Sequence, residues 1–520
     1  MAEKEFESRS FQLKAENKET VKNLEDTPIK EESLLAEDSL LTEDSLLTLD
    51  EVLSGVEGRL LSGKDFYFNN VQTDSRNVTE RSLFVPLLGE KENGHKYIPQ
   101  ALEKGASVIF VAEKEYLQKK NFYDDFFKKN SSSSFIQVKN TLYALQDAAR
   151  VYAEKKCGNM IRISITGSSG KTTTKEMMVA VCKKYFGDEY VYGTEGNYNS
   201  ETGLPLSVFK ISGKEKVCVL EMGMNRENEI GEISNVFKSN YGIITNIGTA
   251  HIGILGSREN IAREKRKSLD YIPKNGAAFV NEGDSFCDFC VQNVKGKVVK
   301  FGKNIPPSVS GVEFLADKGL FGTDFLLDGL SVRLSLSGEY NFYNALAVIA
   351  CAKEIGIPNE VIKSGFESVK SIPGRMEVKQ LSLKNHVNVI LLKDCYNANL
   401  DSMTKALQFC KDLQNIGKKI FVLADMKELG EESLEAHKKI GSLLNDILPD
   451  KVFFVGSEMK NAHNVYSKGN YFENSDEESF KLISDEIIKI ASGNDLIFLK
   501  GSHSMHLEKL IPYLSGESEK

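Results

Sequence analysis

Apolar positions along this chain follow two alternating rhythms. Short runs rich in Val, Ile, Leu and Phe stand at 82–88, 106–112, 161–166, 217–220, 241–245, 277–280, 387–392, 419–424, 452–455 and 495–499. Between many of them lie longer stretches with apolar residues three or four apart. The short runs predict strands and the longer stretches predict helices, one of them over 141–156. Strands alternating with helices predict an α/β fold of mostly parallel sheets with crossover helices. The turn S-I-P-G-R at 371–375 interrupts the rhythm and marks a boundary near Pro373. The expected blocks are a mixed α and β domain over 49–140, a central domain over 141–372 and a second α/β domain over 373–520. No transmembrane, coiled-coil or solenoid rhythm is visible.

Residues 1–48 stand apart, with few aromatics and a near-repeat, SLLAED, SLLTED and SLLTLD, beginning at Ser33, Ser39 and Ser45. This segment is expected to be an acidic, disordered tail. Its Leu pairs leave open a short amphipathic helix that docks on a partner.

Composition changes this picture in few places. A chain of 520 residues with 41% hydrophobic and 27% charged residues has the balance of a soluble, multidomain protein. The formal charge of -8 belongs to the first fifty residues, which hold fourteen acids and six bases; the rest is balanced at sixty against sixty. No basic face for nucleic acid is therefore expected. Eight scattered cysteines show no disulfide framework, which points to a reducing compartment, the cytoplasm. Cys287 and Cys290 form a single C-x-x-C with neither a second pair nor a nearby His, weak grounds for zinc. The acidic, polar start lacks the basic and apolar regions of a secretory signal, and no run approaches the roughly 18 apolar residues of a membrane span.

The strongest local signal is TGSSGKTTT at 166–174, between a strand-like run and a stretch of helical periodicity carrying Met177, Met178 and Val179. It reads as a phosphate loop. Gly167, Ser168, Ser169 and Gly170 let backbone amides curl around an anion, Lys171 brings a point charge, Thr172 offers a hydroxyl to magnesium, and Thr173 follows on the first helical turn. Ile165 stands where the longer G-x-x-x-x-G-K-[ST] form has its first glycine, so a purely structural glycine turn is the competing account of the motif alone. Glu221, in VCVLEMG, sits where an acid at the carboxyl edge of a parallel sheet reaches a phosphate-bound cation; a helix cap or an exposed acid is the bland alternative. His251 ends GIITNIGTAH at the same edge, as a ligand or as a structural hydrogen-bonding residue. Ser257 can cap a helix bearing Ile261, Lys265 and Leu269 at i, i+4 and i+8, so a lysine lies on an apolar stripe. Either it snorkels to water, or it is modified or partnered inside a cleft.

On these residues the chain resembles the Mur ligase family. The resemblance covers about 49–514 and runs through TDSR at 73–76, NGH at 93–95, TGSSGKTTTKE at 166–176, EGNYN at 195–199, LEMGMN at 220–225 and TNIGTAH at 245–251. It continues with YNFYNALA at 340–347, PGRME at 373–377, DCYNAN at 394–399, ADMKELG at 424–430 and KGSHSM at 500–505, in the family's order. The resemblance implies three domains: one gripping a UDP-linked precursor, a P-loop central domain with a parallel sheet, and a Rossmann-like C-terminal domain closing the cleft. It implies a monomeric enzyme, acting away from nucleic acid and membranes, that uses ATP and Mg2+ to join D-alanyl-D-alanine to UDP-N-acetylmuramoyl-tripeptide through an acyl phosphate.

Carried over by position, the resemblance assigns Lys171, Glu221, His251 and Lys265 to catalysis, with Thr172, Glu221, His251 and a carbamate on Lys265 serving the metal. It puts Gly167 to Thr173, Asn344, Arg375 and Asp394 at ATP, and Ser75, Arg76, Asn197, Asn199, Tyr396, Asn397 and Lys500 at the other substrates. NGH and EGNYN also suit plain turns. Three positions depart from the family's pattern: Lys393 precedes Asp394 where an acid is frequent, Leu400 replaces a proline, and His503 stands where an arginine is common. Sister readings are the ligase that adds the third amino acid, whose D-N-P-R motif is absent, and folylpolyglutamate synthase; a non-catalytic ATP-binding regulator is the reading from another class.

Overall fold

The structure, a computed structural model, describes residues 45–63, 66–89, 92–302 and 309–516. Most of the expected tail, residues 1–44, lies outside the described residues. Leu46 to Thr48, expected to belong to that tail, instead join the first domain. Leu47 is fully buried, the Leu46 N–H donates to the Phe68 carbonyl at 2.9 Å, and Thr48 forms a capping box with Glu51 on the helix Leu49–Gly55. Burying one leucine is worth about 2 kcal/mol, enough to draw the apolar half of the last repeat onto a core.

The first sheet has the order β1–β5–β4–β3–β2, built from β1 (Arg59–Ser62), β2 (Asn70–Gln72), β3 (Ser82–Phe84), β4 (Ala106–Ala112) and β5 (Ser134–Val138). All neighbours are parallel except β1 with β5. The run expected at 82–88 is cut to three residues as a strand. Pro86 has no N–H for a ladder, and its carbonyl accepts from Thr141 Oγ1 at 2.7 Å.

The central sheet is wholly parallel, in the order β11–β10–β9–β6–β8–β7. Its strands are β6 (Ile161–Thr166), β7 (Val191–Gly193), β8 (Val217–Glu221), β9 (Tyr241–Ile244), β10 (Ala277–Asn281) and β11 (Lys297–Phe301). Side chains alternate faces along each strand. Ile163, Ile165, Val217 and Val219 join the core under the helices Lys171–Phe186 and Tyr340–Ile355, while Cys218 and Leu220 join the one shared with the helix Thr141–Lys156. With both faces covered, β8 and β10 read as nearly unbroken apolar runs, whereas β6 alternates its isoleucines with Arg162, Ser164 and Thr166. The apolar runs do not announce the antiparallel sheet β12–β13–β14 (Val312–Asp317, Thr323–Leu327 and Leu330–Leu334) that also packs on the first of these cores.

The last sheet has the order β15–β16–β20–β17–β18–β19, from β15 (Glu377–Ser382), β16 (Asn388–Asp394), β17 (Lys419–Ala424), β18 (Lys451–Val455), β19 (Asn470–Phe472) and β20 (Leu496–Lys500). Only the β15–β16 pair is antiparallel. The fold class is thus α/β, as expected. In the central sheet β6 is the strand from which connections diverge to both sides, the place where open α/β sheets leave a crevice beyond their carboxyl ends. Among the described residues no helix is long and apolar enough to cross a membrane.

Candidate active site

The turn after β6 admits only glycine at two positions. Gly167 has φ +153° and Gly170 φ +81°, and a Cβ on them would come within 1.8 Å of Thr245 Oγ1 and 2.6 Å of Asn344 Oδ1. This turn feeds the helix Lys171–Phe186, whose first amides lack partners in a preceding turn and, with the positive helix end, suit an anion. The segment after β9 pins the loop in place. Ser169 N–H donates to Asn246 Oδ1 at 3.1 Å, Thr245 Oγ1 donates to the Ser169 carbonyl at 2.6 Å, and Gly248 N–H donates to Ser168 Oγ at 2.9 Å. Lys171 Nζ folds back on the Gly167 carbonyl at 2.9 Å, and burial pushes its pKa down.

Glu221, buried at the end of β8, accepts from Thr172 Oγ1 at 2.8 Å and from Asn199 Nδ2 at 2.8 Å. Arg375 Nη2, arriving from the C-terminal domain, donates to the same Thr172 hydroxyl at 2.8 Å. The Arg375 guanidinium lies 3.8 Å over the Tyr396 ring, and the Tyr396 hydroxyl bonds Asn197 Oδ1. Lys500, buried, pairs with the Asp394 carboxylate, and its Nζ lies 3.5 Å from the Asn397 carbonyl. A cavity of about 180 Å³ runs between these walls, lined by Ser169, Gly170, Thr173, Tyr340, Asn344, Arg375, Asp394 and Lys500 among others.

Ser257 Oγ accepts from Asn260 N–H at 3.2 Å and so caps the helix Arg258–Arg266. Ile261 and Lys265 on it are fully buried, and Leu269 follows on a 3-10 turn, also buried. Lys265 does not snorkel: its Nζ is enclosed without a hydrogen-bond partner, and burial, then the Lys171 charge, hold its pKa well below the ordinary lysine value. His251 has left-handed backbone, φ +64°. Its Nδ1 lies 2.9 Å from Glu428 Oε2, close enough for an ion pair but without hydrogen-bond alignment. Burial lowers the His251 pKa, and the Lys265 charge adds to that against the pull of Glu428.

Residues 67–155 match the Mur ligase family catalytic domain, 165–352 the Mur ligase middle domain and 374–503 the Mur ligase glutamate ligase domain. The UDP-N-acetylmuramoyl-tripeptide--D-alanyl-D-alanine ligase of Treponema pallidum is 38% identical over 461 residues, covering 86% of this chain and 94% of that protein. The chain belongs to the Mur ligase family. Among solved structures, MurF from Acinetobacter baumannii superposes with a TM-score of 0.78 at 26% identity, covering 90% of this chain and 99% of that one. MurF ligase from Thermotoga maritima in complex with ADP superposes with a TM-score of 0.69 at 25% identity, covering 86% and 97%.

In this Mur ligase chain, Ser169, Gly170, Thr173, Asn344, Arg375 and Asp394 line one cavity, while Gly167, Ser168, Lys171 and Thr172 share the same loop and hydrogen bonds join Glu221 to Thr172 and Asn199 to Glu221. Tyr396, Asn197, Asn397 and Lys500 are tied to them by the contacts above. Ser75 and Arg76 keep their contacts within the first domain: Ser75 Oγ donates to Gln100 Oε1 at 2.6 Å, and Arg76, 81% exposed, pairs with Asp74 at 2.6 Å. Sequence reasoning assigned no role to Asn246, Asp401 or Glu428. Asn246 and Glu428 lie inside quoted motifs, TNIGTAH and ADMKELG, so the signal was present. Asp401, whose Oδ2 accepts Thr249 N–H at 2.8 Å, carried none.

A hard cation suits this donor set. Thr172 and Glu221 present oxygens side by side, 2.8 Å apart. That pattern fits magnesium, which is held by one or two carboxylates together with substrate phosphates. A Lys265 ammonium would oppose a cation; the neutral amine that burial favours would not.

Proposed function

We propose that this chain is an ATP-dependent ligase that joins D-alanyl-D-alanine to UDP-N-acetylmuramoyl-tripeptide, yielding the pentapeptide precursor of peptidoglycan. The observation that carries it is the phosphate cradle of Lys171, Thr172 and Glu221, closed by Arg375 from another domain, in a chain that matches a ligase of that name over most of both lengths. A carboxylate resists attack by an amine. In the proposed reaction the γ-phosphoryl group of ATP passes to the tripeptide carboxylate and ADP leaves; the dipeptide amine then attacks the acyl carbon, the C–O bond to phosphate breaks, and the amine loses a proton as phosphate departs.

Each residue has a part in that scheme. Lys171 and the loop amides hold the phosphates in line, and Arg375 adds positive charge from the C-terminal wall. Asn344 and Asp394 face the nucleotide, while Ser75, Arg76, Asn197, Asn199, Tyr396, Asn397 and Lys500 hold the UDP-precursor and the dipeptide. Thr172, Glu221, His251 and a carbamate on Lys265 would hold magnesium, which when bound neutralises charge on the transferring phosphoryl group. Seating the C-terminal domain excludes water that would hydrolyse the acyl phosphate. We assign the enzyme to the cytoplasm as a monomer, away from membrane and nucleic acid; its eight thiols, all free, suit a reducing compartment.

The test is phosphate release with a panel of UDP-precursors ending in lysine or diaminopimelate, each with and without D-alanyl-D-alanine. Release that depends on ATP, a tripeptide precursor and the dipeptide together, with a product of the pentapeptide mass, is expected. Turnover with a single amino acid or a folate in place of the dipeptide would move the assignment to a sister ligase, and no turnover at all to a non-catalytic module.

A further inference from the structure

Glu428 has no part in the chemistry above, yet it touches the ligand-facing turn of the central domain twice. Its Oε2 lies 2.9 Å from His251 Nδ1, and its carbonyl accepts the Gly253 N–H at 3.2 Å. Both side chains that meet here stand on left-handed backbone, φ +66° at Glu428 and +64° at His251. Such backbone persists in non-glycine residues only where surrounding contacts over-determine it. Beside them the two segments run backbone against backbone. A Cβ on Gly253 would fall 2.3 Å from the Gly430 nitrogen, and one on Gly430 2.7 Å from the Gly253 Cα. Neither segment can shift without losing a contact that bare glycines alone permit.

Among the described residues, three other side chains of the C-terminal domain make hydrogen bonds across the same seam: Arg375 to Thr172, Asp401 to Thr249 and the Tyr396 hydroxyl to Asn197. Arg375 and Tyr396 land on residues assigned to phosphate, metal or substrate, and Asp401 lands two positions before His251. Glu428 is the one of the four that reaches His251.

We propose that Glu428 is a positioning residue that clamps His251 from across the domain seam, its carboxylate charge beside Nδ1 and its carbonyl holding the Gly253 N–H, so that Nε2 is left for the reacting groups. The alignment of His251 is thereby conditional on the C-terminal domain being seated. The kinetic consequence rests on the ligase reading above; the clamp itself rests on the contacts.

The test uses the full-length protein, with Glu428→Ala, Glu428→Gln, His251→Ala and the Glu428→Ala/His251→Ala double variant. Glu431→Ala, exposed on the following turn, is the control and should match the wild type. Turnover is measured with ATP, precursor and dipeptide, and amide hydrogen exchange of residues 249–256 is followed with ADP and magnesium. Glu428→Ala is expected to lower kcat by about tenfold or more with KM for ATP little changed, the range found when a group that orients a ligand is removed. It should also speed exchange at Gly253. Glu428→Gln should recover part of both, and carries the comparison if the alanine variant does not fold. In the double variant the Glu428 change should cost nothing beyond His251→Ala. Unchanged kcat, unchanged exchange, or losses that add in full would each overturn the clamp. A wild-type enzyme that couples no dipeptide would sink the ligase reading instead, with the exchange measurement still deciding the clamp.

Discussion

An ammonium enclosed without a partner is driven to give up its proton. Lys265 meets that condition, fully buried and unpaired with the Lys171 charge nearby. The neutral amine adds to carbon dioxide, and the carbamate formed replaces a cation with oxygens of the kind magnesium takes. Lys265→Ala is therefore expected to lower kcat on the order of a hundredfold with an unchanged circular dichroism spectrum. Arg263→Ala, on the exposed side of the same helix, should change little. Carbon-13 bicarbonate should give a carbamate resonance that Lys265→Ala lacks, and an unmodified Lys265 in active, magnesium-saturated enzyme would refute the adduct. His95 is a structural counterpart. Its Nε2 accepts the Ala112 N–H at 2.9 Å, and burial lowers its pKa to about 4. The unfolded chain, with an imidazole near pH 6.5, binds more protons over that interval, so stability falls as pH drops from about 6.5 to 4, by up to roughly 3 kcal/mol. The urea midpoint of the wild type should fall over that interval more than that of His95→Gln, and equal falls would remove His95 as the cause.

At the scale of elements, two glycine turns separate steric need from backbone strain. Gly167 opens the phosphate loop with Thr245 Oγ1 1.8 Å from where a Cβ would stand. Gly329 closes the two-residue turn between β13 and β14 beside Asp328, with φ +83° and +48° and open space around the glycine. Both central residues at positive φ fit the turn that matches the twist of a hairpin. Gly167→Ala must displace Thr245, which in turn holds the Ser169 carbonyl, so calorimetry with ADP and magnesium should show binding weakened severalfold or more. Gly329→Ala meets only strain, costs about 1 kcal/mol in thermal or urea unfolding and leaves ADP binding as it was. Equal effects of the two on ADP affinity would contradict this account of the loop.

For the whole molecule, the described fold begins at the joint between the acidic segment and the first domain. A protein starting at Ser45 keeps Leu46 to Thr48 and is expected to turn over like the full chain. One starting at Leu49 loses the buried Leu47 and the Thr48 cap, worth about 1 kcal/mol for the cap alone, and should melt at a lower temperature. Loss of most activity in the Ser45 protein, folded, would show that the acidic segment takes part in catalysis.

The local parts of this protein were legible in its sequence because short-range physics decides them. β4, β6, β17 and the helix Thr141–Lys156 fall on the runs that predicted them. The phosphate loop follows from two glycines between a strand and a helix, and the place of Lys265 on an apolar stripe from its spacing with Ile261 and Leu269. The β13–β14 hairpin is equally local, but its signal is Asp328-Gly329 between alternating apolar residues and not a continuous apolar run. Whether the Lys265 ammonium reached water was beyond any local pattern, since that depends on what packs over the helix. So were the contacts that close the cleft: Arg375 and Thr172 are 203 positions apart, Asp401 and Thr249 152. Such pairs are set by how whole sheets stack on one another through many weak contacts summed over domains, and only the tertiary structure carries that sum.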